Sequence, residues 1–105
     1  MMNELTVLIA DWAYERDLEQ ADPSKQMLKL MEEVGELAEG MAKDKQEQVK
    51  DSLGDIYVVL IILSLQLGLN FWECVDGAYK EIKDRRGKMV NGVFVKESDL
   101  KEVEG

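Results

Sequence analysis

There is no histidine in this chain, and there is one proline and one cysteine. Lack of histidine is no obstacle to proton transfer, because a glutamate beside a metal-bound water can accept the proton. The lone Cys74 cannot form an intrachain disulfide, which points to a reducing, cytoplasmic setting. With no imidazole to serve as its base, Cys74 is expected to be a buried structural thiol rather than a nucleophile. Long apolar runs are also missing. The most apolar stretch, residues 56–69, is broken by Ser64, Gln66 and Gly68, short of the roughly 20 residues that span a bilayer. It reads as a buried helix, with no membrane partner. The opening Met1-Met2-Asn3-Glu4 has no basic segment followed by an apolar one, so no secretory signal is expected.

What is present favours one helical domain. The chain has 105 residues, 46% of them hydrophobic, enough for a modest core that self-association would help to cover. Leu, Met, Ala, Glu and Lys dominate, all good helix formers. The net charge of −9 argues against nucleic acid as a partner, because phosphates would be repelled. Its distribution is uneven. Residues 1–55 hold 6 basic and 14 acidic side chains, whereas residues 79–96 hold 6 basic and 2 acidic. An acidic body with a short basic segment suits an anionic substrate that arrives with a cation; the plainer reading is a set of solvated faces.

Along the chain, Asn3 can cap a first helix in which Leu5, Leu8, Ile9, Trp12 and Ala13 recur at helical spacing, ending near Asp17. Residues 19–21 are expected to form a linker. Asp22-Pro23 is a cap followed by proline at the first helical position. The second helix then runs to about Lys43, Asp44 and Lys45 turn the chain, and a third helix spans about 46–67. Gly68 should end it, and Asn70 should cap a fourth helix reaching about Arg86. Asn91-Gly92 lies between two apolar segments and predicts a type I′ hairpin over residues 88–95. The last nine residues read as a loose tail. The expected organisation is a single domain, with a helical core over about 3–86 and a hairpin and tail over 87–105. Residues 56–63 are apolar on every side, which predicts a subunit interface; the plainer reading is a central core helix.

The chemistry lies in the acids. Around the second helix, Met27, Leu30, Val34, Leu37, Ala38 and Met41 form an apolar arc. Lys29, Glu32, Glu33, Glu36 and Glu39 form the adjoining arc, with Glu33 nearest the apolar border. Glu33 and Glu36 are one turn apart, so their oxygens can converge on one ion. On the third helix Asp51 and Asp55 are also one turn apart, and Asp55 directly precedes the apolar run. Carboxylates on two facing helices suit a hard divalent cation such as Mg²⁺, with Mn²⁺ able to stand in. Gly35 and Gly54 each cost roughly 1 kcal/mol of helix propensity; a close approach of two helix backbones would account for them.

Glu32-Glu33-Val34-Gly35-Glu36 resembles the EExxE motif of the MazG-like nucleoside triphosphate pyrophosphohydrolases, and Leu53-Gly54-Asp55 resembles the end of their ExxD motif. Trp12-Ala13-Tyr14-Glu15-Arg16 and the stretch from Lys83 to Met89 are similar to a small subgroup of that family. The resemblance covers about residues 5–95. It implies an all-α, four-helix bundle completed by oligomerisation to a dimer or tetramer. It also implies Mg²⁺-dependent cleavage of a nucleoside triphosphate between its α and β phosphorus atoms. Carried over by position, the metal ligands fall on Glu33, Glu36 and Asp55, and Glu32 is implied to orient or activate water. The first acid of ExxD falls on Ser52, which has no carboxylate; Asp51, one residue earlier, is the candidate substitute.

Lys29, Lys80, Lys83, Arg85 and Arg86, with Lys88, are the candidate phosphate contacts; cations at a helix C-terminus are their plainer reading. Trp12 is the candidate base-stacking partner, although Trp12 and Trp72 both fall at core spacing. The alternative function is a helical binding module that kept the fold and lost turnover at Ser52. A third reading, an acidic mimic of nucleic acid, is opposed by the basic segment.

Overall fold

The computed structural model describes the backbone of residues 4–104 and the side chains of residues 4–100. The expected cap Asn3 lies outside the described residues. Helix α1 spans Glu4–Glu15 and is followed by a 3-10 turn at Leu18–Gln20, where a linker was expected. Helix α2 spans Pro23–Ala42, and Asp22 caps it by accepting from the Ser24 amide at 2.9 Å. Helix α3 spans Gln46–Gln66 and helix α4 spans Phe71–Ile82.

Both long helices end in the same way. After α2, Lys45 N donates to Gly40 O and Asp44 N to Met41 O, with Asp44 in the left-handed region at φ 54°. After α3, Leu69 N donates to Ser64 O and Gly68 N to Leu65 O, with Gly68 at φ 71°. These paired bonds are Schellman caps, which satisfy the last carbonyls and turn the chain sharply. The three-residue link after α2 folds it against α3 as an αα-hairpin, the most extensive packing in the chain.

The chain divides into two compact units, one through Trp72 and one from Glu73 onward. In the first, α1 and the 3-10 turn also pack on α3. Val59, Ile61 and Ile62 of α3 are buried with Ala13 of α1, and Thr6 hydrogen-bonds the Tyr57 hydroxyl. Gln66 Nε2 donates to Leu18 O at 3.0 Å, and Tyr57 meets Phe71 edge to face at 5.7 Å. No residue of the apolar run 56–63 is exposed, in keeping with a core helix. The core is nevertheless small: Leu5, Leu8, Met31 and Leu53 are each more than half exposed.

In the second unit, strands β1 (Gly87–Val90) and β2 (Val93–Lys96) pair antiparallel, with Val90 opposite Val93. Asn91 and Gly92 both have positive φ, at 51° and 80°, as the expected type I′ turn requires. Helix α5, Glu97–Glu104, packs on the hairpin, so most of the expected loose tail is helical. Glu97 N, bonded to Arg86 O, anchors its start.

Three other expectations are corrected. Helix α4 ends at Ile82, not near Arg86: Arg85 N turns back to Ile82 O, and the charged stretch 83–86 leads into the strand at Gly87. Cys74 is exposed rather than buried, as is every α4 residue from Glu73 on. An added Cβ at Gly35 or Gly54 would meet nothing within 4 Å, so no close backbone approach explains them. Among the glycines within helices the tight one is Gly40, where an added Cβ would lie 3.2 Å from Val49 Cγ2 and 3.3 Å from Gln48 Cβ. The observed architecture is thus all-α, with five α-helices among the described residues and a small C-terminal hairpin. No single helix among the described residues is long and apolar enough to cross a membrane.

Candidate metal centre

Helices α2 and α3 carry their acids into a shared cleft of about 550 Å³, lined by Glu36, Glu39, Gln48, Asp51, Ser52 and Asp55. The spacing explains why. Glu39 lies one turn beyond Glu36, while Gln48, Asp51, Ser52 and Asp55 recur every three or four residues along one face of α3.

Glu33, one turn before Glu36 on α2 and outside the lining of the cleft, is only 8% exposed. Lys29 Nζ lies 3.8 Å from its Oε1, one turn earlier, but Oε2 is buried with no hydrogen-bond partner. Burial, first, and then the charges of Glu36 and Asp55 push the Glu33 pKa above its ordinary value of 4.5; Lys29 opposes the shift. Glu36 adds to the rise because a protonated Glu33 can donate to it. A nearly buried carboxylate with an unsatisfied oxygen, facing two further acids, is an arrangement that calls for positive charge.

Of the acids nominated from the sequence, Glu36, Asp51 and Asp55 line the cleft, while Glu33 lies outside its lining and feels the charges of Glu36 and Asp55. Asp51 is exposed and lines the cleft, whereas Ser52 is 1% exposed. A carboxylate at position 52 would start almost entirely buried. Glu32 is exposed and is not among the lining residues. Sequence reasoning assigned no role to two residues that line the cleft. Glu39 belongs to the acidic arc of α2 and to no motif that marks it as a ligand. Gln48 carries no charge, and its helical spacing to Asp51 and Asp55 was the signal available.

The other nominated residues lie apart from this cleft or in the second unit. Trp12 is not a core residue: it is 46% exposed and lines a separate apolar groove with Leu8, Ile9 and Val58. The Arg16 guanidinium stacks on its ring at 4.3 Å. Trp72 is half-buried. Lys80 pairs with Asp76 at 2.9 Å, and that hydrogen bond and charge raise its pKa. Lys83, Arg85 and Arg86 are exposed in the stretch after α4.

The donor set suits a hard cation, since every candidate ligand is an oxygen and the orphaned Glu33 oxygen supplies unspent negative potential. Among the described residues no three acidic, histidine or cysteine side chains stand close enough to form a ready-made cage. Glu36, Glu39, Asp51 and Asp55 line one cleft without converging on a single point.

Comparison with known proteins bears on the same region. A 66-residue stretch, 62% of this chain, is 48% identical to an uncharacterised 18.2 kDa protein from the rep-hol intergenic region of Haemophilus phage HP1 (strain HP1c1). The match spans 40% of that relative's length, so the chain corresponds to well under half of it. No solved structure matches. The model of the MazG-like family matches residues 26–92, which takes in the cleft, Glu33 and the hairpin turn. On that match, the chain belongs to the MazG-like family.

Proposed function

We propose that this chain is a Mg²⁺-dependent nucleoside triphosphate pyrophosphohydrolase, releasing the nucleoside monophosphate and pyrophosphate. The observation that carries the reading is Glu33, a nearly buried anion with one oxygen unpartnered beside Glu36 and Asp55. Glu33, Glu36 and Asp55 would hold Mg²⁺ or Mn²⁺, with Asp51 in place of the acid missing at Ser52. Bound there, the cation would neutralise phosphate oxygens and lower the pKa of a water. In the reaction, water adds to the α-phosphorus and the bond from that phosphorus to the α–β bridging oxygen breaks. Pyrophosphate leaves with the bridging oxygen, and the proton of the water passes to a glutamate, for which Glu32 and Glu33 are the candidates.

Lys29, 3.8 Å from Glu33, supplies a cation for phosphate oxygens. Trp12 remains the candidate base contact, its half-exposed ring being free of the core. Self-association to a dimer or tetramer in the cytoplasm completes the reading. It is supported by the exposed leucines and methionines, a large apolar surface for so small a chain.

The experiment is a panel of canonical and modified nucleoside triphosphates with Mg²⁺, scored for pyrophosphate release. Activity that Glu36→Ala and Asp55→Ala abolish, with helical circular dichroism retained, is the expected result. Full activity in both variants would reduce the acids to a solvated face. Ser52 favours a second reading, a MazG-like binding module without turnover, for which the wild-type protein would hydrolyse nothing on the panel.

A further inference from the structure

We infer that Gln48 is a positioning residue that sets the spacing and aim of the carboxylates across the cleft; this rests on the cation-binding reading above. Its amide Nε2 donates to the main-chain carbonyl of Glu36 at 2.9 Å and lies 3.5 Å from Glu39 Oε1. Glu36 is a proposed ligand, and Glu39 lines the same cleft. One side chain of α3 therefore grips α2 at the backbone of a ligand-bearing residue. The carbonyl can accept this bond through its second lone pair while the first serves the helix.

The grip coincides with a close approach of the two helices at Gly40. An added Cβ at Gly40 would fall 3.3 Å from both Cβ and Cγ of Gln48 and 3.2 Å from Val49 Cγ2. Gly40 lies one turn beyond Glu36 on the same face of α2, and Lys45 N closes the interhelix turn onto Gly40 O at 2.8 Å. On α3, Gln48 lies one turn before Asp51 and Ser52 and two before Asp55. The missing side chain at Gly40 lets the helices meet, and the Gln48 amide stops α3 from rotating or sliding past that point. Metal–ligand distances tolerate only about ±0.2 Å. Asp51 and Asp55 can meet an ion shared with Glu33 and Glu36 only if α3 keeps its rotation. The second contact, to Glu39, also holds that carboxylate against Lys43, whose Nζ is 3.6 Å from the same oxygen.

Mn²⁺ titration followed by electron paramagnetic resonance, on the full chain, separates positioning from packing. Gln48→Met keeps the bulk against Gly40 and removes the donor. It is expected to weaken Mn²⁺ binding by about 10- to 100-fold, the usual effect of losing a group that orients a metal ligand. Val49→Ala trims the other side chain at Gly40 and removes no hydrogen bond; it is expected to lower the melting temperature and leave Mn²⁺ affinity unchanged. Wild-type affinity in Gln48→Met, or an equal loss in Val49→Ala, overturns the inference while leaving the cation-binding reading intact. Absence of Mn²⁺ binding in the wild type overturns both. Should Gln48→Met fail to fold, Gly40→Ala disturbs the same contact by a few tenths of an ångström and is expected to weaken Mn²⁺ binding; unchanged affinity there refutes the role.

Discussion

Replacing Glu33 by glutamine keeps the size of the side chain and removes its charge, and the consequence should reverse sign with metal. In the metal-free protein one Glu33 oxygen is buried without a partner, and the neighbouring charges are those of Glu36 and Asp55. Leaving such a group unsatisfied costs about 1–3 kcal/mol. Lys29, 3.8 Å away, offsets part of that, so the lower end, about 1 kcal/mol, is the expected gain in the variant. For a domain of this size it raises the melting temperature by about 4–8 °C. The gain depends on pH. Because the folded-state pKa of Glu33 is raised above 4.5, the folded chain binds this proton more tightly than the unfolded chain. The stability it contributes is present below pH 4.5 and is lost as pH rises through the folded value. Glutamine has no such dependence, so the advantage of Glu33→Gln should widen between pH 4.5 and neutrality. Thermal melts in EDTA, stepped in pH, measure this. Saturating Mg²⁺ should then invert the order: a ligand at 100 times its Kd adds about 2.7 kcal/mol to the wild type and little to the variant. A variant less stable than wild type in EDTA at neutral pH, or equal Mg²⁺ stabilisation of the two proteins, would refute the reasoning.

Asp51→Asn should lower Mg²⁺-dependent turnover by orders of magnitude if Asp51 replaces the missing acid; near-normal kinetics would leave the site with three protein carboxylates. Ser52→Glu places a charge at a position that is 1% exposed, so melts in EDTA should show a loss of about 1–3 kcal/mol, recovered when Mg²⁺ is added. Gly35→Ala and Gly54→Ala, with open space around the added methyl, should each stabilise the metal-free protein by about 0.5–1 kcal/mol. Gly40→Ala should gain less than either, because its methyl meets Val49 and Gln48; denaturant titration ranks the three. Light scattering at micromolar concentration should find at least twice the 12.0 kDa chain mass, and a stable monomer would contradict the proposed self-association.

Much of the fold was legible because its signals are local. Asp22-Pro23 fixed one helix start, Gly68 one helix end, and Asn91-Gly92 the hairpin, each through backbone geometry that few residues tolerate. Glu33 was placed at the apolar border by helical phase alone, and it is the acid that is buried. What escaped depended on contacts between elements. Three successive charges after Lys83 do not announce where a helix stops, and the polar tail gained a helix by docking on the hairpin. Gly35 and Gly54 looked like contact points because they flank acids, yet the contact lies at Gly40, where α2 turns toward α3. Gln48 is an ordinary polar residue in sequence; its role follows only from which carbonyl its amide reaches.

Phosphorus NMR of a single hydrolysed triphosphate, incubated with the protein and Mg²⁺, tests the central claim most directly. Growth of monophosphate and pyrophosphate resonances in step, absent in Asp55→Ala, is the predicted result. Diphosphate with inorganic phosphate, or an unchanged triphosphate across every base supplied, would contradict it.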